Sequence, residues 1–290
     1  MKKTQYGRCA LCGQNRDLQL SHIVPHFVGR KLIKTSPGSI RSSNEPNRIK
    51  QDIYKEYMLC SECEERFSAK ETWFANYIFN PYVDKKEKLF YYDKRLSYFI
   101  TSVSWRMLYL DLDKFCRDSD FNQETLLTLF RAEQTMRDYL LGRRDDLDDI
   151  QNHIFFLDRI QSSLKLDPSM NPNVVMHRTI SSYSVCDGKT LFTLSKLMGI
   201  LIVTFYSMDS RESWINTKID LNDGILRAEN QHMTSVVGNE IQYWLAQGVA
   251  AQQNLSDTQR KKIEEKMLAL GNDILKYPII QDWLDDLELK

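Results

Sequence analysis

Four cysteines occur as two identical pairs, Cys9-x-x-Cys12 and Cys60-x-x-Cys63, and their spacing is typical of a metal site. Four thiolates can occupy the corners of a tetrahedron, which is the geometry that zinc prefers. Each Cys-x-x-Cys turn places its two sulfurs on one side of a tight knuckle, so each pair fills half of the shell. Four protein ligands close that shell, so the sequence predicts a structural zinc; the alternative is a group of free thiols.

A histidine lies between the two pairs, in the sequence Ser21-His22-Ile23-Val24-Pro25. Closing the 47 residues between Cys12 and Cys60 with a metal would hold this segment in place. An imidazole has its ordinary pKa near neutral pH, which suits a general base. The alternative for His22 is a buried histidine that braces a hairpin or hydrogen-bonds a loop carbonyl.

The elements around these residues follow from local patterns. A short strand is predicted over residues 17–23, a long loop or insertion over 30–47, and a second strand over 48–53. Apolar residues at spacings of three, four and seven predict a helix over 61–79, which ends before Pro81. The order of knuckle, hairpin and helix is that of a treble-clef zinc module.

The remainder of the chain has a different pattern. Amphipathic helices are predicted over residues 94–115 and 124–141. Residues 173–228 have the pattern of strands, with a hairpin turn at Asp187-Gly188. Three helices close the chain, at 233–248, 256–269 and 271–286. We therefore predict an α+β protein, with a zinc module at residues 1–83 and a mainly helical body with an antiparallel sheet at 84–290.

Composition limits the class of protein. The chain has 290 residues, of which 42% are hydrophobic and 27% charged, as in soluble globular proteins. Its basic start lacks an apolar stretch behind it, and the apolar run 191–206 is too short to cross a membrane, so a cytoplasmic protein with reduced thiols and no membrane contact is expected. Residues 1–70 carry 13 basic and 7 acidic residues, a net of +6, whereas the remainder has a net of −6. A basic module on an acidic body is typical of a nucleic-acid-binding protein.

The first 80 residues resemble the HNH nucleases of the ββα-metal class. The resemblance rests on Cys-x-x-Cys-Gly, Leu-x-x-Ser-His-Ile-Val-Pro, an Asn-bearing loop and Leu-Cys-x-x-Cys, and it covers about a quarter of the chain, from Cys9 to residue 79. The longer string Ser21–Val28, together with Arg41, Gln51-Asp52 and Cys63-Glu64, is similar to a poorly characterised bacterial branch of the family, some members of which act against phage.

The resemblance implies a metal-dependent endonuclease that cuts nucleic acid, with DNA favoured over RNA, His22 as the general base and Mg²⁺ or Mn²⁺ as the catalytic cation. Asn44 or Asn47 would match the Asn that braces the base or its loop. Glu64 would hold the cation, with Asp52 as a second carboxylate. Nucleic-acid contacts are expected from His26, Arg41, Arg48 and Lys50.

Two positions depart from the family pattern. Ser21 occupies the place where the family commonly has an Asp that binds the cation, and Glu64 occupies the place of a His or Asn. Magnesium prefers carboxylate oxygens, so Glu64 is a chemically suitable ligand and Ser21 is a poor one. The alternative function is therefore a non-catalytic, zinc-stabilised module that binds nucleic acid or assembles with other proteins. Residues 84–290 would select the substrate, regulate activity, bind a partner protein or form a homo-oligomer; the functional centre could also lie in this body, with the zinc module as a structural cap.

Overall fold

A computed structural model describes residues 5–162 and 167–289 and shows an α+β protein with antiparallel sheets. The strands are β1 (Gln5–Arg8), β2 (Asn15–His22), β3 (Ile40–Ser42), β4 (Glu45–Lys50), β5 (Lys55–Cys60), β6 (Leu89–Tyr92), β7 (Gln151–Phe156), β8 (Ile180–Asp187), β9 (Thr190–Leu197), β10 (Ile200–Ser207), β11 (Ser213–Ile215), β12 (Gly224–Arg227) and β13 (His232–Thr234). The α-helices are α1 (His26–Lys34), α2 (Ser61–Phe74), α3 (Asn80–Lys85), α4 (Lys94–Arg117), α5 (Gln123–Leu140), α6 (Pro172–His177), α7 (Val237–Gln253), α8 (Asp257–Leu270) and α9 (Pro278–Glu288). A π-helical turn covers Ala75–Phe79 and a 3₁₀-helix covers Gly271–Lys276.

The N-terminal sheet has the order β1-β2-β5, and all its pairs are antiparallel. The prediction of a strand at 17–23 is confirmed by β2. The second strand predicted at 48–53 is confirmed only at residues 48–50, which belong to β4 of the separate β3–β4 hairpin, and the partner of β2 is β5. The buried run Met58-Leu59-Cys60 explains the difference, since these apolar residues carry β5 into the core beside β2.

The predicted long loop at 30–47 is wrong, because α1 and the β3–β4 hairpin form most of that segment. Pro25 immediately precedes α1, and the Thr35 hydroxyl donates to the Lys31 carbonyl at its end, at 2.9 Å. Gly29 lies on the buried side of α1, where a Cβ atom would come within 3.0 Å of the Ile53 side chain. The absence of a side chain at Gly29 therefore allows α1 and the segment before β5 to approach closely.

The helical segment after the second cysteine pair is longer than predicted. It passes from α2 through the π-helical turn into α3, so the predicted end before Pro81 is wrong. Pro81 lies in the first turn of α3, where its missing N–H group costs no intrahelical hydrogen bond. The segment ends at Lys86, which has a left-handed conformation with φ of 59°.

The predicted helices at 94–115, 124–141 and 256–269 are confirmed by α4, α5 and α8. The helix predicted at 233–248 begins only at Val237, since residues 232–234 form β13, and the one predicted at 271–286 is divided into a 3₁₀-helix and α9. The second sheet has the order β7-β10-β9-β8, and its β8–β9 turn contains Gly188 with φ of +60°, as the Asp-Gly signal predicts. The apolar run 191–206 is buried in β9 and β10.

The strand expected at the start of 173–228 is wrong for residues 173–177, which form α6. Pro172 is compatible with a helix start, and the buried Asp286 carboxylate accepts the backbone N–H groups of Asn173 and Val174 at 2.8 and 3.0 Å. A cap supplied from 113 residues away therefore overrides the local alternation of apolar residues.

The chain divides into two compact units. The first comprises residues up to 25, 54–156 and 181–235, and the second comprises 26–53, the described part of 157–180, and 236–289. These limits differ from the predicted division after residue 83. Residues 26–53 fall in the second unit because their β3–β4 hairpin packs with the C-terminal helices, as shown by a hydrogen bond from Arg41 to Gln259 at 2.9 Å.

None of the helices in the described ranges combines the length and the apolar character that crossing a membrane requires.

Candidate functional site

The four cysteines of the two pairs form one compact group. The four Sγ atoms all lie within 4.8 Å of one another, in the group of Cys9, Cys12, Cys60 and Cys63. The sulfurs of Cys12 and Cys60 are 3.9 Å apart, too far for a disulfide and close to the roughly 3.8 Å that a tetrahedron with Zn–S bonds of about 2.3 Å requires. The donor set and its spacing therefore fit a four-coordinate metal ion.

Local backbone geometry builds the first half of this group. The Cys9 carbonyl accepts the Gly13 N–H at 2.9 Å, and Gly13 has φ of +76°, a conformation that glycine adopts without steric cost. The Ala10 N–H donates to the Met58 carbonyl at 2.9 Å, which ties the knuckle to β5. Both cysteine pairs are thus fixed to the same strand pair.

A side chain from α5 also holds the first knuckle. Arg137 donates to the Ala10 carbonyl and, at 2.7 Å, to the Glu133 carboxylate. Glu133 is buried and also accepts the indole N–H of Trp105 at 2.6 Å. The knuckle is therefore braced by a buried ion pair that the sequence pattern did not reveal.

Negative charge is unevenly distributed among the four cysteine thiols. A hydrogen bond from the Cys63 thiol lowers the pKa of Cys9 to about 4, whereas burial raises the pKa of Cys60. One thiolate is therefore stabilised by its neighbours, and further deprotonation would place like charges side by side. A bound cation would remove that repulsion, which is consistent with a metal site.

His22 is the last residue of β2 and pairs with Lys55 of β5. The peptide unit that follows it is held at both polar groups: the Ile23 N–H donates to the Tyr54 carbonyl at 3.3 Å, and the His22 carbonyl accepts from Arg106 of α4 at 2.8 Å. The His22 side chain is half-buried. Its backbone is thus fixed at the point where β2 ends.

His26 and Asp52 lie close to this strand pair along the chain. His26 is exposed at the start of α1. Asp52 precedes β5, and its carboxylate accepts the Ile53 N–H at 2.8 Å. The roles of His26 as a nucleic-acid contact and of Asp52 as a cation ligand stay predictions.

Ser21 is 1% exposed, and its hydroxyl donates to the Gln19 carbonyl at 3.4 Å. Adjacent residues of a strand point to opposite faces, so Ser21 faces away from the side of β2 that carries His22. Ser21 is therefore not placed to replace a metal-binding aspartate next to His22.

The predicted asparagines lie elsewhere on the chain. Asn47 donates its amide to the Asn254 carbonyl at 2.9 Å and accepts the Ser256 N–H at 2.8 Å, so it holds the turn between α7 and α8. Asn44 is exposed in the β3–β4 turn. Their catalytic role stays a prediction.

The predicted nucleic-acid contacts fall into two kinds. Arg41 is half-buried, and its guanidinium donates to the Pro46 carbonyl and to the Gln259 side chain within the protein. Arg48 and Lys50 lie on β4 beside Glu45, at 3.8 and 3.2 Å from its carboxylate. Their side chains remain solvent-accessible, as a phosphate contact requires.

Glu64 is half-buried in the first turn of α2. Its role as a cation ligand stays a prediction. The Arg106 and Arg137 contacts had no local signal, because their partners lie 84 and 127 residues away.

No family model, no curated protein and no solved structure matches this chain.

Proposed function

We propose that this chain is a metal-dependent endonuclease of the HNH type, which hydrolyses DNA phosphodiester bonds with His22 as the general base. The observation that carries the proposal is the position of His22 at the end of β2, in the same unit as the four-cysteine group, with the peptide unit that follows it held by hydrogen bonds at both polar groups. The β2–β5 pair runs directly into the second cysteine pair and α2, which is the order of elements in a ββα-metal module.

The four cysteines would hold a structural zinc. Their closed shell leaves no position for substrate, so the zinc would contribute to folding and not to the reaction. Its function would be to keep β5 and the knuckle in register, and so to keep the end of β2 in place.

The reaction would use the groups at the end of β2. His22 would take a proton from a water molecule at a ring nitrogen, while the water oxygen forms a bond to phosphorus and the P–O bond to the leaving oxygen breaks. A divalent cation held by Glu64, with Asp52 as the second predicted carboxylate, would stabilise the charge that develops on the phosphate and the leaving oxygen. These carboxylates would take the place of the aspartate that Ser21 replaces.

The test is cleavage of supercoiled plasmid with Mg²⁺ or Mn²⁺. His22→Ala should lower the rate by about 100-fold or more, because a general base contributes on the order of 10²–10⁴. Asp52→Asn should lower the cleavage rate, and the loss should be larger at low cation concentration than at high concentration. Glu64→Gln tests the other predicted carboxylate in the same way. His232→Ala, an exposed histidine of β13, is the matched control and should cleave at the wild-type rate.

A cleavage rate unchanged by His22→Ala would refute the mechanism. Zinc content and melting temperature of each variant would be measured alongside, so that loss of folding is distinguished from loss of a catalytic group. If Asp52→Asn changes neither the rate nor the cation dependence, Asp52 does not hold the cation.

The buried Ser21 favours a second candidate function, a zinc-stabilised module that binds nucleic acid without cutting it. Such a protein would bind DNA or RNA with an affinity that falls steeply with salt, because phosphate contacts release counterions. The measurement is a salt titration of binding with the recovered nucleic acid examined for nicks. Tight, salt-sensitive binding with intact DNA in both cations would support this function over hydrolysis.

A further inference from the structure

Arg106 of α4 is a buried cation, with a side chain only 2% exposed. Its three guanidinium nitrogens donate to three different acceptors. Nε donates to the Ser102 carbonyl at 3.1 Å, and one terminal nitrogen donates to the His22 carbonyl at 2.8 Å. The other terminal nitrogen donates to the Glu71 carboxylate of α2 at 2.7 Å.

These contacts join α4 and α2 to the end of β2. The guanidinium also lies over the ring of Phe67, 5.3 Å from its centroid, so packing and hydrogen bonds restrict its position together. A buried charge is costly unless it is paired and hydrogen-bonded, and here each of the three guanidinium nitrogens donates a hydrogen bond. Arg106 therefore has a single well-defined arrangement.

The acceptor on β2 is the carbonyl of the residue proposed as the base. The same peptide unit is held on its other side by the hydrogen bond from Ile23 N–H to the Tyr54 carbonyl. Fixing both polar groups of one peptide unit fixes its plane, and with it the direction in which the His22 side chain leaves the backbone. Residues beyond Pro25 leave the strand pair, so the Arg106 contact acts where the ladder of β2 and β5 ends.

We propose that Arg106 is a positioning residue for His22 and that Glu71 orients Arg106 for this purpose. The inference rests on the proposed function for its catalytic consequence, but the contact itself concerns the orientation of His22. Lysine cannot replace the guanidinium here, because one ammonium group cannot reach three acceptors that lie in a planar fork. Arg106→Lys therefore keeps the charge and removes the positioning.

The experiment compares wild type, Arg106→Lys and Glu71→Gln. When the plasmid concentration is varied up to saturation, Arg106→Lys should lower kcat by about tenfold or more. It should leave KM within about twofold of wild type, because a displaced base affects the reaction more than substrate binding. Glu71→Gln keeps an oxygen acceptor and should cause a smaller loss of kcat.

A second readout does not depend on activity. The chain has five histidines, so the ring signals of protein labelled with ¹³C at histidine Cε1 can be resolved by NMR and His22 assigned by its loss in His22→Asn. In Arg106→Lys the His22 signal should shift or broaden, whereas the signals of His153 and His232 should stay in place.

Arg178→Lys is the matched control. Arg178 is also buried and forms an ion pair with Asp282, but it has no contact with the His22 peptide among the contacts that the structure describes. It should lose thermal stability as Arg106→Lys does, with wild-type kcat and an unchanged His22 signal. If Arg106→Lys behaves like Arg178→Lys in all three measurements, the positioning role is refuted.

The two proposals fail differently. A wild-type protein that cuts no DNA in either cation refutes the proposed nuclease. The His22 signal in Arg106→Lys then still decides the positioning, since a shift supports it and an unchanged signal overturns it.

Discussion

Replacing Arg137 by methionine should destabilise the protein and loosen its cysteine group. Arg137 bonds to the Ala10 carbonyl and to Glu133, and its guanidinium lies 5.8 Å from the ring centroids of Trp105 and Tyr109. Methionine retains much of the apolar stem and removes the charge. The Glu133 carboxylate would then be left without its cationic partner.

The magnitude follows from burial. The side chains of Arg137 and Glu133 are 20% and 8% exposed, so little water can replace the lost partner. Removing one member of a buried ion pair costs about 3–5 kcal/mol, and the partial exposure of Arg137 favours the lower end of that range. The unfolding free energy should therefore fall by about 3 kcal/mol. The double variant Glu133→Gln with Arg137→Met should lose less than the sum of the single variants, because the buried charge is also removed.

The assay is urea unfolding at pH 7 in the presence of zinc, followed by tryptophan fluorescence and circular dichroism. Release of zinc to a colorimetric chelator should be faster in Arg137→Met than in wild type, since the knuckle has lost a hydrogen bond. Arg117→Met is the control, because Arg117 and Asp113 form an exposed pair on α4 and such pairs contribute at most about 1 kcal/mol. A loss in Arg137→Met no larger than in Arg117→Met would refute the reasoning.

Three further results are expected. Elemental analysis should find one zinc per chain, which Cys60→Ser loses and Cys116→Ser retains. In calorimetry, removal of zinc by a chelator should lower the melting temperature by about 10 °C or more. Zinc affinity should fall as the pH falls, because the thiols must lose protons to bind the ion. Burial lowers the pKa of His153 from 6.5 to about 4. As the pH falls, His153 therefore gains its proton in the unfolded chain before it does in the folded protein. About 3 kcal/mol of unfolding free energy should be lost between pH of about 6.5 and 4. The difference in unfolding free energy between wild type and His153→Gln should shrink over that range, and a constant difference would contradict the reasoning. Asp286→Ala removes the acceptor of two backbone N–H groups of α6 and should lower the unfolding free energy by about 2 kcal/mol. Asp286→Asn keeps one oxygen acceptor and should lower it less. Both values are measured by urea unfolding.

Local sequence signals predicted the elements that depend on local forces. The amphipathic stripe of α4 and the Asp187-Gly188 turn needed no distant partner, because helix periodicity and a left-handed glycine are properties of short segments. The two Cys-x-x-Cys pairs likewise predicted one ligand group, since a turn of that spacing fixes each half before the chain closes. The predictions failed where a contact from far along the chain decides the conformation, as at α6, whose cap is Asp286.

By itself, the sequence determined the cysteine group, the placement of His22 at the end of a strand and the two long central helices. Only the tertiary structure decided which groups hold the His22 peptide. Tyr54 comes to it through the strand pairing of β5 with β2, and Arg106 comes to it through the packing of α4 on α2. The physical reason is that a hydrogen bond or a ligand set needs its atoms within a few ångströms, and residues 84 positions apart reach that distance only after the core has packed.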